Sequence, residues 1–331
     1  MSASEVLITG ATGTVGWPIA RDLVARGEAV RALVRDVDRA RSLLPEGVEP
    51  VRGDVADRDA VRSAVAGAEV VYHAAGLPEQ WRRDDADFTR VNVEGTRNVA
   101  EEALAAGVRR LAYTSTIDVF RWTPGSPFDE SVIDPDPRPT AYERSKQEAD
   151  RIVVALAERG LDAVFLHPSA LYGPVPALAA GLNDLIVRLA TRKIPVLLPG
   201  GMPVVHCDDV AAAHVKAVDE APAGSRFIVA DRYLTLSEIA ASVAAVVPGA
   251  RKPPEVPIRV ARLVSALGER VAARTGKPPL IPRGALIFLE SHPVPDASRV
   301  RSELGLEITP WDRGIAGTVE RFRAQGWRTA A

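Results

Sequence analysis

The 331-residue chain carries 41 Lys and Arg residues against 43 Asp and Glu, a formal net charge of −2, and 47% of its residues are hydrophobic. So balanced a charge gives no electrostatic argument for nucleic acid or an anionic membrane as a partner. No stretch approaches the roughly 18 uncharged apolar residues of a membrane span, which argues against integral membrane association. Because the one cysteine is Cys207 and no signal-peptide pattern follows Met1, we expect a cytoplasmic protein.

Short β-branched runs alternate with helical patterns through the first half of the chain. This alternation predicts an α/β fold in which helices cover both faces of a doubly wound parallel sheet, the Rossmann arrangement. The predicted strands cover residues 5–9, 29–34, 49–52, 69–73, 110–114 and 163–167. The predicted helices cover residues 16–26, 57–65, 93–106 and 142–159.

The pattern loosens after Pro168, where proline and glycine mark loops and segment boundaries. We expect residues 1–168 to form a dinucleotide-binding domain, to which residues 204–231 return through a helix at 208–220. A smaller, mostly α substrate-binding lobe is then built from residues 169–203 and 232–331.

Residues 258–275 have an amphipathic pattern in which four arginines lie among aliphatic residues: Arg259, Arg262, Arg270 and Arg274. On composition, this pattern favours a helix that faces the core or covers a substrate over one that lies on a membrane surface.

The first predicted strand leads into Thr9-Gly10-Ala11-Thr12-Gly13-Thr14-Val15-Gly16, and a helix follows at once. A backbone that closely approaches a pyrophosphate has no room for Cβ atoms, and a tight turn needs positive φ, so glycine suits these positions. The strand before and the helix after meet the context that this pattern requires, with the helix N-terminus directed at the phosphates. We therefore predict a dinucleotide site that includes Gly10, Thr12, Gly13, Thr14 and Val15.

The end of the second strand selects between the two nicotinamide cofactors. An NAD site has an acidic residue there for the ribose 2′-hydroxyl, whereas this chain has Val34, followed by Arg35 and, one helical turn later, Arg39. Guanidinium groups bind a 2′-phosphate through paired hydrogen bonds, so NADP(H) is favoured over NAD(H). Asp36 complicates this interpretation, because it could turn toward the ribose or pair with Arg39.

A tyrosine and a lysine four residues apart, Tyr142 and Lys146, share one face of a predicted helix. A free tyrosine is a poor acid or base at neutral pH, and a neighbouring lysine together with a positive nicotinamide ring lowers its pKa. Hydroxyl groups also end the fifth strand, at Thr114, Ser115 and Thr116. Because the carboxyl ends of such strands face the ligand crevice, a hydroxyl there can hydrogen-bond the substrate oxygen.

Several of these runs resemble the extended short-chain dehydrogenase/reductase superfamily, of the NAD-dependent epimerase/dehydratase type. The similar segments are the T-G-x-x-G-x-x-G turn, Asn92-Val93-Glu94-Gly95-Thr96-Arg97-Asn98, Phe128-Asp129-Glu130, Pro168-Ser169-Ala170-Leu171-Tyr172-Gly173-Pro174 and His206-Cys207-Asp208-Asp209-Val210-Ala211. The run from Tyr113 to Val119 and the proline-rich stretch after Arg251 look most like the 3β-hydroxysteroid dehydrogenase and dihydroflavonol reductase branches.

The resemblance implies roles for particular residues. Thr116 takes the place of the catalytic serine beside Tyr142 and Lys146, while Ser115 lines the cofactor; a register shift of one residue exchanges the two. His167 stands where the family usually has arginine, and His73 is read as a structural histidine. Further cofactor contacts are implied for Asp54, Val55, Ala74, Ala75, Gly76, Asn92, Thr114, Tyr142, Lys146, His167, Pro168 and Ser169.

The resulting hypothesis is an NADP(H)-dependent oxidoreductase that moves a hydride between nicotinamide and a ketone, aldehyde or secondary alcohol. Aliphatic stretches at 175–189 and 258–288 suit a hydrophobic substrate such as a steroid, an alkyl ketone or a polyketide-like molecule, although they could equally pack the lobe. The same two interpretations apply to five candidate substrate contacts, Trp81, Ile117, Trp122, Leu171 and Tyr172. No metal site is expected.

Two alternatives stay open. A nucleotide-sugar epimerase or dehydratase with tightly held NAD uses the same phenol and lysine, but a dehydratase wants a pair of carboxylates, and only Asp118 follows Thr116. A cofactor-sensing regulator on the same fold typically lacks the Tyr or the Lys. The resemblance also implies a homodimer formed through the helices that carry Val93 and Tyr142.

Overall fold

The computed structural model describes residues 5–79, 81–176, 181–277, 279 and 281–327. Its strands are β1 (Glu5–Thr9), β2 (Ala29–Val34), β3 (Val48–Arg52), β4 (Val70–His73), β5 (Arg110–Thr114), β6 (Pro127–Phe128), β7 (Ala163–Pro168), β8 (Ala170–Tyr172), β9 (Gly201–His206), β10 (Arg226–Val229), β11 (Arg232–Thr235) and β12 (Val294–Pro295).

The α-helices are α1 (Gly16–Ala25), α2 (Val37–Arg41), α3 (Arg58–Val65), α4 (Ala86–Phe88), α5 (Gly95–Ala106), α6 (Ala141–Glu158), α7 (Leu182–Ala190), α8 (Cys207–Glu220), α9 (Leu236–Val246), α10 (Ile258–Thr275), α11 (Arg283–Ser291), α12 (Ser298–Leu304) and α13 (Trp311–Ala324). A π-helical turn (Thr89–Glu94) precedes α5, and a 3₁₀ turn (Ile117–Val119) follows β5. None of the helices in the described ranges is both long enough and apolar enough to cross a membrane.

Seven strands form one sheet in the order β10-β7-β5-β4-β1-β2-β3, and every neighbouring pair is parallel. The chain runs outward from β1 to β3 and then crosses back to β4, so the strand order reverses between β1 and β4. In such sheets the crevice at this reversal, outside the carboxyl ends of the strands, is where ligands bind. The predicted doubly wound α/β fold is confirmed.

Apolar side chains cover both faces of this sheet. One core cluster joins the strands to α1, α8 and α12, and the other joins them to α3, α5 and α6. Fully buried examples are Ile19 on the first face and Val99 on the second. Both faces of a parallel sheet are covered in this way, which explains why its strands read as continuous apolar runs.

The second lobe has its own core around a three-stranded sheet in the order β11-β9-β8. Trp311, Tyr172 and Ile186 are fully buried there, and α7, α9 and α13 supply most of the remaining apolar contacts. Helix α12 was expected in this lobe, but Val300 and Leu304 pack in the core of the first lobe, against α8 and β10. Residues 177–180, within one of the two aliphatic stretches, lie outside the described residues.

Candidate active site

The turn after β1 has the close contacts that glycine permits. Gly10 has φ +74°, and a Cβ atom there would lie 2.6 Å from the backbone of Ala74 at the end of β4. A Cβ on Gly16 would overlap the carbonyl oxygen of Gly10, where α1 begins. No side chain caps α1 and no acidic residue lies in its first turn, so no carboxylate there competes with an anion for the helix N-terminus. These features fit the pyrophosphate of a dinucleotide.

Two arginines lie at the carboxyl end of β2, beside this turn. Arg35 and Arg39 are exposed, and within the described ranges neither has an ion pair. Asp36 does not pair with the Arg39 guanidinium: it caps α2 by accepting the Arg39 backbone N–H at 3.0 Å. The cap holds the aspartate carboxylate in place and leaves both guanidinium groups free for a phosphate.

Other residues expected at the cofactor line the same crevice or stabilise it. Ala74, Ala75 and Gly76 continue from β4, and Ala75 donates its N–H to Thr9 Oγ1 at 3.2 Å. Asp54 accepts the Ala56 N–H at 3.0 Å and thereby turns the chain after β3. Buried Val55, which follows it, packs against Gly95 at the start of α5.

Ser169, which follows Pro168 at the end of β7, carries a buried polar group that a ligand could bind. Its side chain is buried, and its hydroxyl has no hydrogen-bond partner among the described residues. A buried hydroxyl that forms no hydrogen bond destabilises the folded protein, so we expect a polar group of a bound ligand to form that hydrogen bond. This fits the polar nicotinamide end of a dinucleotide.

Asn92 has a positioning role that the sequence did not reveal. Its carboxamide accepts the Leu77 N–H at 2.7 Å and donates to Leu77 O at 3.1 Å and to Ser145 Oγ at 2.9 Å. These bonds use the amide to tie the loop after β4 to α6, so the side chain is held by protein groups rather than free for the cofactor.

Helix α6 carries the predicted Tyr142 and Lys146 and begins with a capping box. Thr140 Oγ1 accepts the Glu143 N–H at 3.1 Å, and Glu143 Oε2 accepts the Thr140 N–H at 2.9 Å. This reciprocal pair satisfies two N–H groups at the start of the helix and fixes where its first turn begins. Tyr142, in that first turn, is half-buried, with its ring edge-on to Phe88.

The two hydroxyl groups after β5 point to different partners. Ser115 Oγ donates to Asp150 Oδ1 at 2.8 Å, and Asp150 forms an ion pair with Arg226. The Thr116 hydroxyl instead interacts with the phenol of Tyr142 and donates to Asp118 Oδ2 at 2.8 Å. Successive side chains of an extended segment point to opposite sides, which explains the divergence. Thr116, rather than Ser115, lies on the Tyr142 side.

Asp118 completes a chain of three groups, Tyr142, Thr116 and Asp118. Its side chain is buried, and Oδ1 has no hydrogen-bond partner among the described residues. Burial and then the nearby Glu143 carboxylate raise the pKa of Asp118 from 3.8 to about 7, while the Thr116 hydrogen bond opposes the shift. The carboxyl group can therefore gain or lose a proton near neutral pH.

Burial and nearby carboxylates dominate the pKa of Tyr142 in the protein alone, and its expected lowering by Lys146 together with a nicotinamide ring stays a prediction. Burial and then the Asp118 carboxylate raise the pKa of Tyr142 well above its usual value of 10. The Lys146 ammonium is buried, donates to Thr114 O at 2.9 Å and has its own pKa lowered by burial to about 8. Tyr142 is thus a protonated phenol, suited to donating a proton.

A second carboxyl group near Tyr142, Glu79, was missed in the sequence. It lies three residues after Gly76 in the loop after β4, but no residue pattern within that loop pairs a carboxylate with Tyr142. Glu79 Oε2 accepts a hydrogen bond from Thr140 Oγ1 at 2.8 Å, and its charge acts on both Tyr142 and Asp118. Burial raises the pKa of Glu79 to about 7. The earlier count of one candidate carboxylate is therefore wrong.

Both histidines singled out in the sequence are held inside the protein. His73 bonds Thr9 Oγ1 at 2.7 Å and Thr96 Oγ1 at 2.9 Å, as a structural histidine does. His167 bonds Thr116 O and the Arg226 guanidinium through its two ring nitrogens, and burial lowers its pKa to about 3. Both ring nitrogens of His167 are thus occupied by protein groups, and the expected cofactor contact of this residue stays a prediction.

The five candidate substrate residues differ in burial. Tyr172 is fully buried in the second lobe, with its ring 4.6 Å from that of Trp311, and Trp122 lies between Phe128 and the Arg138 guanidinium. The ring of Tyr172 is therefore fully used in packing, whereas Trp122 is half-buried and its expected substrate contact stays a prediction. Ile117 is buried next to Thr116, whereas Trp81 and Leu171 are half-buried.

A possible metal-binding group lies at the start of α8. Ligand atoms of His206, Cys207 and Asp208 lie within 4.8 Å of one another. However, His206 Nδ1 accepts the Asp208 N–H at 3.3 Å, and Arg21 donates to the Asp208 carboxylate at 3.0 Å. Burial raises the pKa of the Cys207 thiol, so the thiolate that a metal needs is disfavoured.

Comparison with known proteins gives consistent matches. The model of a family described as NAD dependent epimerase/dehydratase matches residues 6–230. The chain is 32% identical to "Sterol demethylase protein B" of Methylococcus capsulatus, over 97% of this chain and 98% of the other. It is 31% identical to the 2-alkyl-3-oxoalkanoate reductase of Stenotrophomonas maltophilia, over 83% of this chain and 86% of the relative.

A third relative is the 4-hydroxy-2-methyl-3-oxo-4-farnesyl-3,4-dihydroquinoline-1-oxide ketoreductase of Stigmatella aurantiaca, 29% identical over 91% of each chain. Among solved structures, gox2253 superposes with a TM-score of 0.83 at 27% identity, covering 98% of this chain and all of that one. The NAD complex of the UDP-glucose 4-epimerase of Thermus thermophilus has a TM-score of 0.76 at 25% identity, covering 96% and 99% of the two chains.

Proposed function

Because the chain belongs to the NAD dependent epimerase/dehydratase family, whose members matched here include named reductases, we propose that it is an NADP(H)-dependent ketoreductase or alcohol dehydrogenase. The observation that carries the proposal is the contact between the Tyr142 phenol and the Thr116 hydroxyl at the crevice, with Lys146 one helical turn further along α6. A protonated phenol beside a second hydroxyl is suited to bind and protonate a carbonyl oxygen.

The residues present fit a nicotinamide dinucleotide, which supplies or accepts the hydride when bound. The turn at Gly10 and Gly16 would hold the pyrophosphate, and Arg35 and Arg39, which have no ion pair among the described residues, would bind a 2′-phosphate. The Ser169 hydroxyl would find its hydrogen-bond partner at the nicotinamide end. The free arginines are the reason to prefer NADP(H) over NAD(H).

The proton chemistry belongs to the three-group chain. Tyr142 donates its proton to the oxygen that becomes the alcohol, and Thr116 donates a hydrogen bond to the same oxygen. While Asp118 is ionised, the Thr116 hydroxyl donates to its carboxylate instead. Once Asp118 is protonated, it can donate to Thr116 and leave the threonine proton for the substrate. Lys146, held on Thr114 O and one helical turn from Tyr142, would supply positive charge as proton transfer proceeds.

A hydrophobic substrate is the class that we favour. The relatives named above include reductases whose names specify an alkyl chain and a farnesyl group on the ketone. The half-buried Trp81, Trp122 and Leu171 are the candidate apolar contacts, since Tyr172 is fully buried in the second lobe.

The test is a cofactor titration followed by a panel of ketones and alcohols, read by the absorbance of the reduced nicotinamide. We expect turnover of a hydrophobic ketone with NADPH. In Tyr142→Phe the turnover rate should be at least roughly 100-fold lower. Tyr233→Phe is the matched control, because that hydroxyl bonds His292 at 2.7 Å in the second lobe. Wild-type turnover in Tyr142→Phe would overturn the assignment of the proton donor.

One observation favours a second candidate, a nucleotide-sugar epimerase or dehydratase. Glu79 and Asp118 together supply two carboxyl groups beside Tyr142, and burial raises the pKa of each to about 7. Such enzymes retain NAD, as in the epimerase complex noted above. Purified protein that carries bound NAD and converts a sugar nucleotide without net reduction of the cofactor would select this candidate over the ketoreductase.

A further inference from the structure

Helix α10 presents an aliphatic stripe to solvent. Among the described residues, six large hydrophobic side chains are exposed, and four of them lie on this helix: Val260 (47% exposed), Leu263 (61%), Leu267 (50%) and Val271 (57%). At 100° per residue these positions fall within an arc of roughly 80°, on one continuous face. These four side chains thus form one continuous apolar stripe on the protein surface, where a contact surface can form.

The opposite face of α10 is the one that packs on the protein. Its buried residues are Ala261, Ser265 and Ala272, which lie about 130° away from the stripe and allow close contact with α11. Small side chains and the partly buried Ile258 and Val264 therefore face the fold, while the four exposed aliphatic side chains face outward. The sequence pattern alone favoured the reverse, in which the aliphatic side faces the core or the substrate.

The charge beside the stripe is positive and unneutralised. Arg259 and Arg270 lie along one edge of the aliphatic arc, and Arg274 continues it toward the end of the helix. None of the three has an ion pair or side-chain hydrogen bond within the described part of the chain, whereas Arg262, on the other side, pairs with Glu290 at 3.0 Å. The one acidic residue of α10, Glu269, accepts the Arg283 backbone N–H at 2.8 Å.

We propose that this face of α10 docks on the surface of an anionic lipid bilayer. An aliphatic stripe bordered by arginines is the arrangement of interfacial helices, in which the apolar side chains enter the acyl boundary and the guanidinium groups bind lipid phosphates. The near-neutral charge of the whole chain does not oppose this, because only charges within a Debye length of the bilayer contribute, about 10 Å at 0.1 M salt.

A protein partner fits this face less well. A Val or Leu side chain offers roughly 60–120 Å² of apolar surface, so four that are about half exposed offer roughly 120–240 Å². A stable interface buries about 800 Å² on each partner. A bilayer needs no such minimum area or shape match, since the helix sinks until its apolar stripe is covered.

The position of α10 gives the docking a consequence, which rests on the proposed function. Helix α10 packs on α11, and Gly284 at the start of α11 lies against the Glu79 carboxylate, since a Cβ there would be 2.5 Å from Oε1. Glu79 in turn bonds Thr140, which begins the helix that carries Tyr142. Docking through α10 would therefore bring the active-site cleft close to the membrane. A hydrophobic ketone would be dissolved in that membrane.

The test is co-sedimentation of the full chain with vesicles of phosphatidylcholine alone and of phosphatidylcholine with phosphatidylglycerol. We expect binding to the anionic vesicles that weakens as salt rises, and at least roughly tenfold weaker partitioning for Leu263→Ser with Leu267→Ser and for Arg259→Gln with Arg270→Gln. Val132→Ser with Val196→Ser is the matched control, because these exposed aliphatic residues lie outside α10 and should leave binding unchanged.

Wild-type protein that stays in the supernatant with anionic vesicles would overturn the proposal, as would α10 variants that bind like wild type. If light scattering shows that the leucine variants lose an oligomer while no form binds vesicles, α10 is a protein interface instead. Thermal melts of each variant, and its turnover of a water-soluble ketone, show whether the variant is folded before its vesicle binding is compared. Vesicle binding is measured without substrate. A protein that binds vesicles but has no reductase activity would therefore contradict the proposed function and leave the membrane proposal standing.

Discussion

Asp118 lies one hydrogen bond from Thr116, and its protonation state decides which way that bond points. The carboxyl group is buried and one of its oxygens has no hydrogen-bond partner in the described part of the chain, so the charged form is poorly solvated and the pKa is raised to about 7. A buried aspartate that titrates near neutrality is a good switch for a hydroxyl that must donate to the substrate in one state and not in the other.

Ketone reduction should therefore depend on pH through Asp118. The donor form of Thr116 requires a protonated Asp118, so we expect kcat for reduction to fall as pH rises through about 7. In Asp118→Asn the amide N–H donates to Thr116 at every pH, and this break in the kcat profile should disappear. Steady-state kinetics between pH 5 and 9 measures both profiles.

Several charged groups act on Asp118 and must be separated from it. Glu143 and Lys146 face it from α6, Arg138 from the segment before α6, and Glu79 from the loop after β4. Burial raises the pKa of Glu79 to about 7 as well, so Glu79→Gln is the matched control. A break that survives in Asp118→Asn and vanishes in Glu79→Gln would reassign the switch to Glu79.

Stability gives a readout of Asp118 that does not depend on turnover. Its pKa is raised in the folded protein, so the folded state binds the proton more tightly, and the resulting stability is lost as pH rises from 3.8 to about 7. An asparagine cannot titrate, so we expect the free energy of unfolding of Asp118→Asn, relative to that of wild type, to increase across this pH range by roughly 2 kcal/mol or more. Urea unfolding at pH 5 and pH 8 measures the difference; an equal offset at both would contradict it.

The choice of cofactor is also decided by single residues. Arg35 and Arg39 have no ion pair within the described ranges, so their guanidinium groups are free to bind a 2′-phosphate. Arg35→Ser should raise KM for NADPH roughly 10- to 100-fold, the worth of a charged hydrogen bond, and leave KM for NADH nearly unchanged. Arg41→Ser, which removes an exposed arginine paired with Asp38, is the control. Equal effects on both cofactors would argue against a 2′-phosphate contact.

At the scale of elements, the start of α6 determines where Tyr142 lies. The Thr140–Glu143 capping box fixes the first turn, and the Thr140 hydroxyl also donates to Glu79. The cap thus joins helix initiation to the loop after β4, while Asn92 ties that loop to Ser145 one turn further along. The phenol is positioned by these bonds together rather than by helix propensity.

A matched pair of caps tests this. Helix α9 begins with a second capping box, Thr235–Glu238, in the other lobe. Thr140→Val and Thr235→Val should each cost about 1 kcal/mol of stability, since each removes the same cap. Only Thr140→Val should also lower kcat, at least roughly tenfold, because it displaces the proton donor. Equal kcat values in the two variants would mean that the cap does not position Tyr142.

At the scale of the whole molecule, the two lobes share connections that cross between them several times. The chain leaves the main sheet after β7, returns through α8 and β10, and returns again with α12. The Asp209 carboxylate on α8 accepts both the N–H and the hydroxyl of Thr309, each at 2.8 Å, just before α13. Neither lobe is completed by one continuous stretch of chain.

We therefore expect a single cooperative thermal transition that shifts as a whole when cofactor binds. At a concentration 100 times Kd, a ligand that binds only the folded state adds about 2.7 kcal/mol, which raises Tm by a few degrees. Differential scanning calorimetry with NADP⁺ and NAD⁺ at equal concentration should show the larger shift for NADP⁺. Two transitions, with only one moved by the ligand, would show that the lobes unfold separately.

The sequence by itself determined the elements of the first lobe and the chemistry at its ends. The predicted bounds of β1, β2 and β5 match the structure, because β-branched runs bounded by glycine and charge leave little freedom. The glycine turn and the Tyr142–Lys146 spacing were readable for the same reason, since each depends on residues within one or two turns of chain. The family that these motifs resemble is confirmed by the comparisons.

Only the tertiary structure decided which distant side chains meet. It brought Glu79 to Asp118, turned Thr116 rather than Ser115 toward Tyr142, and added β10 (Arg226–Val229) as the seventh strand. It also placed the aliphatic side of α10 outward. A periodic pattern specifies that a helix has two faces, but which face is covered depends on what the rest of the chain packs against it, and that contact is encoded in no local stretch of sequence.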